Sequence, residues 1–206
     1  MKTNLYARCN SCNFEKLFKE KGYAYFTKGS YNLNIIGVRA NCENKVTNKY
    51  DDFLVVTYNS PSGKRMRQIY NITTEPGKYY MEENLGNPKG TAILVPGQYR
   101  GCWQIGLHRG KYKALCQKKP VKVYRDNNKN GIYDLDPKTI EDGIFGINIH
   151  RSNESWTRNT IDQYSAGCQV FSNPEQFAAF IRLCEKQKEL YGNSFTYTLI
   201  DENDIV

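Results

Sequence analysis

Short bursts of apolar and aromatic residues, each bounded by turn-forming residues, run along most of this chain. YNLNIIGVRA (31–40), DDFLVVTYN (51–59), MRQIYNIT (66–73), TAILV (91–95), CWQIGLH (102–108), YKALCQ (112–117), VKVYR (121–125), IFGINIH (144–150) and SFTYTLI (194–200) have the length and β-branched content of strands. Ser60-Pro61-Ser62-Gly63, Glu75-Pro76-Gly77, Pro96-Gly97, Arg109-Gly110 and Asn130-Gly131 separate them as turns. Two segments change period. Phe14, Leu17 and Phe18 predict a short helix over 11–21, stopped by Gly22. Asn173 as N-cap, Pro174 at the first helical position and Gln176 three past the cap open a long helix. Phe177, Phe180, Ile181 and Cys184 form its buried face, and Gly192 ends it. The pattern predicts a mainly β protein, a sandwich or barrel, with one long C-terminal helix and a short N-terminal one. Residues 1–30 read as an N-terminal extension and 31–206 as one domain.

The chain has 206 residues, 39% hydrophobic and 24% charged, enough to bury a core. The net charge of +8 favours anionic polymers. The basic residues are dispersed and form no nucleic-acid module, so no specific nucleic-acid partner is expected. No run approaches the roughly 18 consecutive apolar residues of a membrane span, and the first residues lack the apolar core of a secretory signal. Seven cysteines at irregular spacing argue for free thiols and synthesis in a reducing cytoplasm. Cys9-Asn-Ser-Cys12 has no second CxxC or nearby histidine to complete a zinc set.

The candidate chemistry lies in INIHRSNESWTRNTIDQYSAGCQVF (147–171). One of only two histidines, His150, precedes Cys168 by eighteen positions, and Cys168 follows the small residues Ser165, Ala166 and Gly167. A cysteine nucleophile works as its thiolate, and an imidazole is the usual base that generates it. A tight glycine turn lifts such a residue off a sheet and aims successive backbone N–H groups at one point, the makings of an oxyanion hole. Both histidines precede Cys168, which excludes unpermuted thiol peptidases with the cysteine first. Two histidines 42 positions apart also serve a zinc peptidase poorly.

His150, fourteen intervening residues and Ser165-Ala166-Gly167-Cys168 resemble the signature of the L,D-transpeptidase catalytic domain, a histidine followed by Ser/Thr-His-Gly-Cys. GINIHRS resembles the strand that carries the family's histidine, and ITTEPG with GTAILVPGQYRG its hairpin region; the likeness spans residues 50 to 200. Two positions depart. The family's motif histidine is Ala166 here, and its Asn or Arg two places after the cysteine is Val170. The resemblance implies an L,D-transpeptidase-like fold and a His150–Cys168 dyad acting on a peptidoglycan stem through a thioester. It also implies an oxyanion held by the N–H groups of Gly167 and Cys168, a turn shaped by Ser165, and no required cofactor. Ser152 beside the base is the expected orienting residue, with Arg151, Gln169 and Ala166 as the substrate-facing neighbours. Transfer to an amine makes a transpeptidase, transfer to water a carboxypeptidase or endopeptidase. Without a leader, delivery to the wall by a phage particle, an endolysin-like lysis system or a secretion apparatus is expected. The alternative is a non-catalytic structural or wall-binding protein that retains the fold.

Two features remain. In DNNKNGIYDLD (126–136), Asp126, Asn128, Asn130 and Asp134 occupy positions 1, 3, 5 and 9 of a calcium loop with Gly131 at position 6, which makes calcium a candidate ligand. The glutamate expected at position 12 is Pro137. His108, in GLHRGKY, reads as a strand-end residue with no motif behind it.

Overall fold

The apolar pattern is satisfied by a closed barrel, seen in a computed structural model that describes residues 4–83 and 86–205. The chain forms β1 (Asn34–Arg39), β2 (Asp52–Asn59), β3 (Arg65–Thr73), β4 (Thr91–Leu94), β5 (Gly97–His108), β6 (Tyr112–Gln117) and β7 (Val121–Asp126), then β8 (Glu141–Gly143), β9 (Ile149–Arg151), β10 (Gln169–Phe171) and β11 (Phe195–Asp201). Its helices are α1 (Leu5–Ser11), α2 (Phe14–Glu20) and α3 (Pro174–Tyr191). The barrel runs β1-β11-β5-β6-β9-β10-β3-β2, and β4-β7-β8 form a second sheet. The fold is mainly β, as the pattern predicts.

β1 and β2 are buried along nearly their whole length, although an ordinary barrel wall would show alternate residues to water. Two cores explain it. Ile35, Leu54 and Val56 face the main core, while Ile36, Val38, Phe53 and Val55 face outward under Cys9, Phe14 and Phe18 of the N-terminal helices. The 4–30 segment is therefore packed on the barrel wall; the first three residues of the predicted 1–30 extension lie outside the described ones. The predicted 11–21 helix is α2, which the Asn13 side chain starts by accepting from Lys16 N–H, and a separate unpredicted helix, α1, ends at Ser11. Arg67 on β3 collects the carbonyls of Cys9, Asn10 and Cys12 at the end of α1. Cys9 and Cys12 share this outer core while Cys42 packs in another cluster, so the three do not gather.

α3 keeps its predicted ends. Asn173 Oδ1 accepts from the N–H groups of Glu175 and Gln176, and Gly192 stands just past Tyr191. Phe177, Phe180, Ile181 and Cys184 join the main core. The predicted strand 144–150 is only β9, with β8 just before it. Between them the N–H groups of Phe145 and Ile147 donate to Gln117 Oε1, at 3.1 and 2.9 Å, so a side chain replaces the strand partner. Among the described residues no helix is long and apolar enough to cross a membrane.

Truncating Phe18 to Ala should cost about 3–5 kcal/mol if the N-terminal helices are integral to the fold. Denaturant unfolding that leaves the variant within about 1 kcal/mol of the parent would instead make them a detachable appendage.

Candidate active site

Parallel pairing of β9 with β10 brings the two halves of the 147–171 segment together, setting Val170 opposite His150 and Gln169 opposite Ile149. Cys168 stands one residue before β10, half-buried at the end of the turn from Ser165. That turn requires its glycine. Gly167 has φ +111°, and a Cβ there would meet the Ala92 carbonyl oxygen of β4 at 2.1 Å. Ser165 closes the loop from inside, donating to Cys168 O at 2.9 Å and accepting Gly167 N–H at 3.2 Å.

His150 is buried, and its Nδ1 lies 2.9 Å from the Arg151 carbonyl oxygen. A carbonyl only accepts, so Nδ1 carries the proton and Nε2 keeps the lone pair of a base. His108 stacks on this ring with centroids 4.1 Å apart. Its tautomer is set too. Asn148 Oδ1 accepts from Gln117 N–H, which leaves Asn148 Nδ2 to donate to His108 Nδ1 at 3.2 Å. The tyrosine of the same hairpin, Tyr112, donates to Arg151 O at 3.1 Å and lies under the Arg151 guanidinium at 4.5 Å. His108, Arg109, Lys111, Tyr112, His150 and Arg151 line a cleft of about 390 Å³.

The electrostatics hold both members of the pair neutral. Burial, the stacked His108 and the nearby Arg109 push the His150 pKa down to about 3, against the raising effect of the Arg151 carbonyl. Burial pushes the Cys168 thiol up to about 11, opposed by the Asn148 N–H and by Arg109. The sulfur accepts from Asn148 N–H at 3.4 Å and donates to Gly146 O at 3.3 Å, rather than bonding to His150. Cys168 does not itself line the cleft, but Tyr112 and Arg109, which do, lie within electrostatic reach of its sulfur. A resting thiolate–imidazolium pair, the state expected of an activated cysteine, is thus disfavoured at neutral pH.

Several expected roles change. Gly167 N–H is taken by Ser165, so it is not an oxyanion donor; among the described residues, Cys168 N–H has no such partner. Ser152 lines the cleft but bonds to Ser172 O at 3.4 Å, and the Arg151 carbonyl orients His150 in its place. Gln169 is fully buried, held by Tyr197 Oη at 2.6 Å and directed to the Gly167 and Thr74 carbonyls, so it supports the turn and does not face substrate. Ala166 is exposed beside Gly167, and Arg151 lines the cleft. His108, Arg109 and Tyr112 had no sequence motif; their one available signal was the Arg109-Gly110 hairpin turn, which pairs His108 with Tyr112.

In the 126–134 loop, Asp126 Oδ2 accepts Asp134 N–H at 2.8 Å, Asn128 Nδ2 donates to Asp134 Oδ2, and Asn130 Oδ1 accepts Ile132 N–H at 2.9 Å. Asp136 instead caps the turn at Lys138. Among the described residues no group of three or more His, Cys, Asp or Glu side chains is placed to hold a metal ion.

Iodoacetamide labelling of Cys168 should rise steadily from pH 6 towards pH 10 with no plateau near neutrality, because the raised pKa leaves the thiol protonated throughout. A plateau reached by about pH 7 would reveal a preformed ion pair.

No family model, no curated protein and no solved structure matches this chain.

Proposed function

We propose that the protein is a cysteine-dependent acyl-transfer enzyme acting on peptidoglycan stem peptides, with an L,D-transpeptidase-like fold. The observation that carries this reading is a neutral, buried His150 with Nδ1 anchored on a carbonyl, one strand away from Cys168 on its glycine turn. Because both groups rest neutral, the thiol is activated during attack. Cys168 turns its sulfur from Gly146 O towards the substrate, its proton passes to His150 Nε2, and the sulfur forms a bond to the peptide carbonyl carbon. The Asn148 N–H steadies the developing thiolate, and the free Cys168 N–H faces the developing oxyanion. The carbonyl–nitrogen bond then breaks as His150 returns the proton to the leaving amine. Water or an acceptor amine resolves the thioester.

Arg109, Lys111 and Arg151 around the cleft supply the positive charge that suits a substrate bearing carboxylates, such as a diaminopimelate-containing stem. The basic protein as a whole suits the acidic wall, which a phage particle or secretion machine would let it reach. A second reading has its own support. The sulfur hydrogen-bonded to Gly146 O and the raised thiol pKa also describe a non-catalytic wall-binding or structural protein.

Mass spectrometry of defined muropeptides incubated with the protein separates the two. The enzyme reading expects shortened stems, opened cross-links or new dimers, abolished in Cys168→Ala and reduced at least 100-fold in His150→Gln. Arg109→Ala should raise KM with a smaller effect on kcat. Identical muropeptide profiles with the parent and Cys168→Ala would leave the structural reading standing.

A further inference from the structure

The loop after β7 contains a feature that the Cys168 chemistry does not use. Asp126 is only 1% exposed, and its carboxylate faces the loop through the bond from Asp134 N–H to Oδ2. The other oxygen, Oδ1, is buried without a hydrogen-bond partner among the described residues. A buried carboxylate oxygen left unpaired is costly, and a cation is one of the few partners that compensates it.

The surroundings fit a hard cation. Asn128 and Asn130 hold their side-chain oxygens on the N–H groups of Asn130 and Ile132. Asp134 brings a second carboxylate against Asn128. Lys129, the one cation in the loop, sends its ammonium away to the Glu83 carbonyl at 2.9 Å. Gly131 takes φ +74°, the left-handed conformation that lets the loop wrap.

We propose that Asp126, Asn128, Asn130 and Asp134 bind a divalent cation of the calcium class through the unpaired Asp126 carboxylate oxygen. With only oxygen donors, half of them amides, the site suits calcium better than zinc or copper. Few charged ligands place its affinity near the weak end, a Kd of about 0.1–1 mM as in extracellular modules. The site is structural. Asp126 pairs with Thr91 of β4, and Ala92 of β4 is the residue packed on Gly167. The proposal is independent of whether Cys168 is catalytic.

The full-length protein is titrated calorimetrically with calcium chloride alone and melted in 10 mM calcium or in EGTA. A saturable heat with one equivalent bound and a Tm higher by about 5 °C in calcium are expected. Tyrosine-sensitised terbium emission, with Tyr133 next to Asp134, provides an independent signal. Asp134→Asn should weaken binding at least 10-fold. Asn130→Ala, at an exposed position, should also weaken it, and the melt in EGTA reports separately any loss from the Ile132 N–H bond. Absence of heat and of any Tm shift up to 10 mM would overturn the proposal, as would a shift that both variants retain in full.

Discussion

The contact between Gly167 and the Ala92 carbonyl is the constraint on which the site depends. It joins the second sheet to the barrel at the turn that carries Cys168, and it leaves no room for a side chain. Both ends of the contact are fixed elsewhere. Ala92 pairs with Arg125 in the second sheet, and the 165–168 turn is closed by Ser165 and tied back by Gly77 N–H to Ser165 O at 2.9 Å. Movement of either sheet is therefore transmitted to the position of the sulfur.

Beneath that turn lies a buried polar network rather than a purely apolar floor. Arg39 donates to Thr74 Oγ1 and to the Thr74 and Leu94 carbonyls, and it pairs with Glu75 at 3.4 Å. Asp52 accepts the Thr74 N–H and hydroxyl and the Ala40 N–H. Burial pushes the Asp52 carboxyl up to about 6, with Asp51 adding to the rise. Gln169 extends the chain of contacts to Tyr197, whose hydroxyl fits only because position 37 is glycine: a Cβ there would lie 1.8 Å from it. Such a network contributes little net stability after desolvation. Its geometric demands are strict, however, and they hold residues 74 and 169 against each other.

Neutrality of the His150–Cys168 pair follows from the same packing. Burial penalises charge on both histidines, the stacked His108 at 4.1 Å adds to the penalty on His150, and Arg109 at the hairpin tip adds to it on both. The arrangement suppresses a resting thiolate while leaving the imidazole lone pair available. Under the proposed function, such a thiol reacts only once it has left the Gly146 carbonyl.

Much of the framework was legible in the residues themselves. Strand-sized apolar runs, the Asn173 cap, the Gly192 stop and the glycine turn before Cys168 depend on backbone dihedrals and on hydrogen bonds a few residues long, which local sequence encodes. The resemblance of His150 and Cys168 to a catalytic pair rested on their spacing and on the small-residue turn before the cysteine, and strand pairing sets the segments that carry them side by side. Other roles could not be read this way. Whether Gln169 faced a substrate or the core, whether Ser152 or a carbonyl held His150, and what stacked on the imidazole were decided when strands distant in sequence closed into a barrel. His108 lies 42 positions from His150, and Tyr197 lies 28 from Gln169. The chain alone determined the local turns and strands and marked His150 and Cys168 as the candidate pair. Only tertiary structure decided their protonation and partners, because burial and charge proximity are properties of what packs around a residue and not of what precedes it.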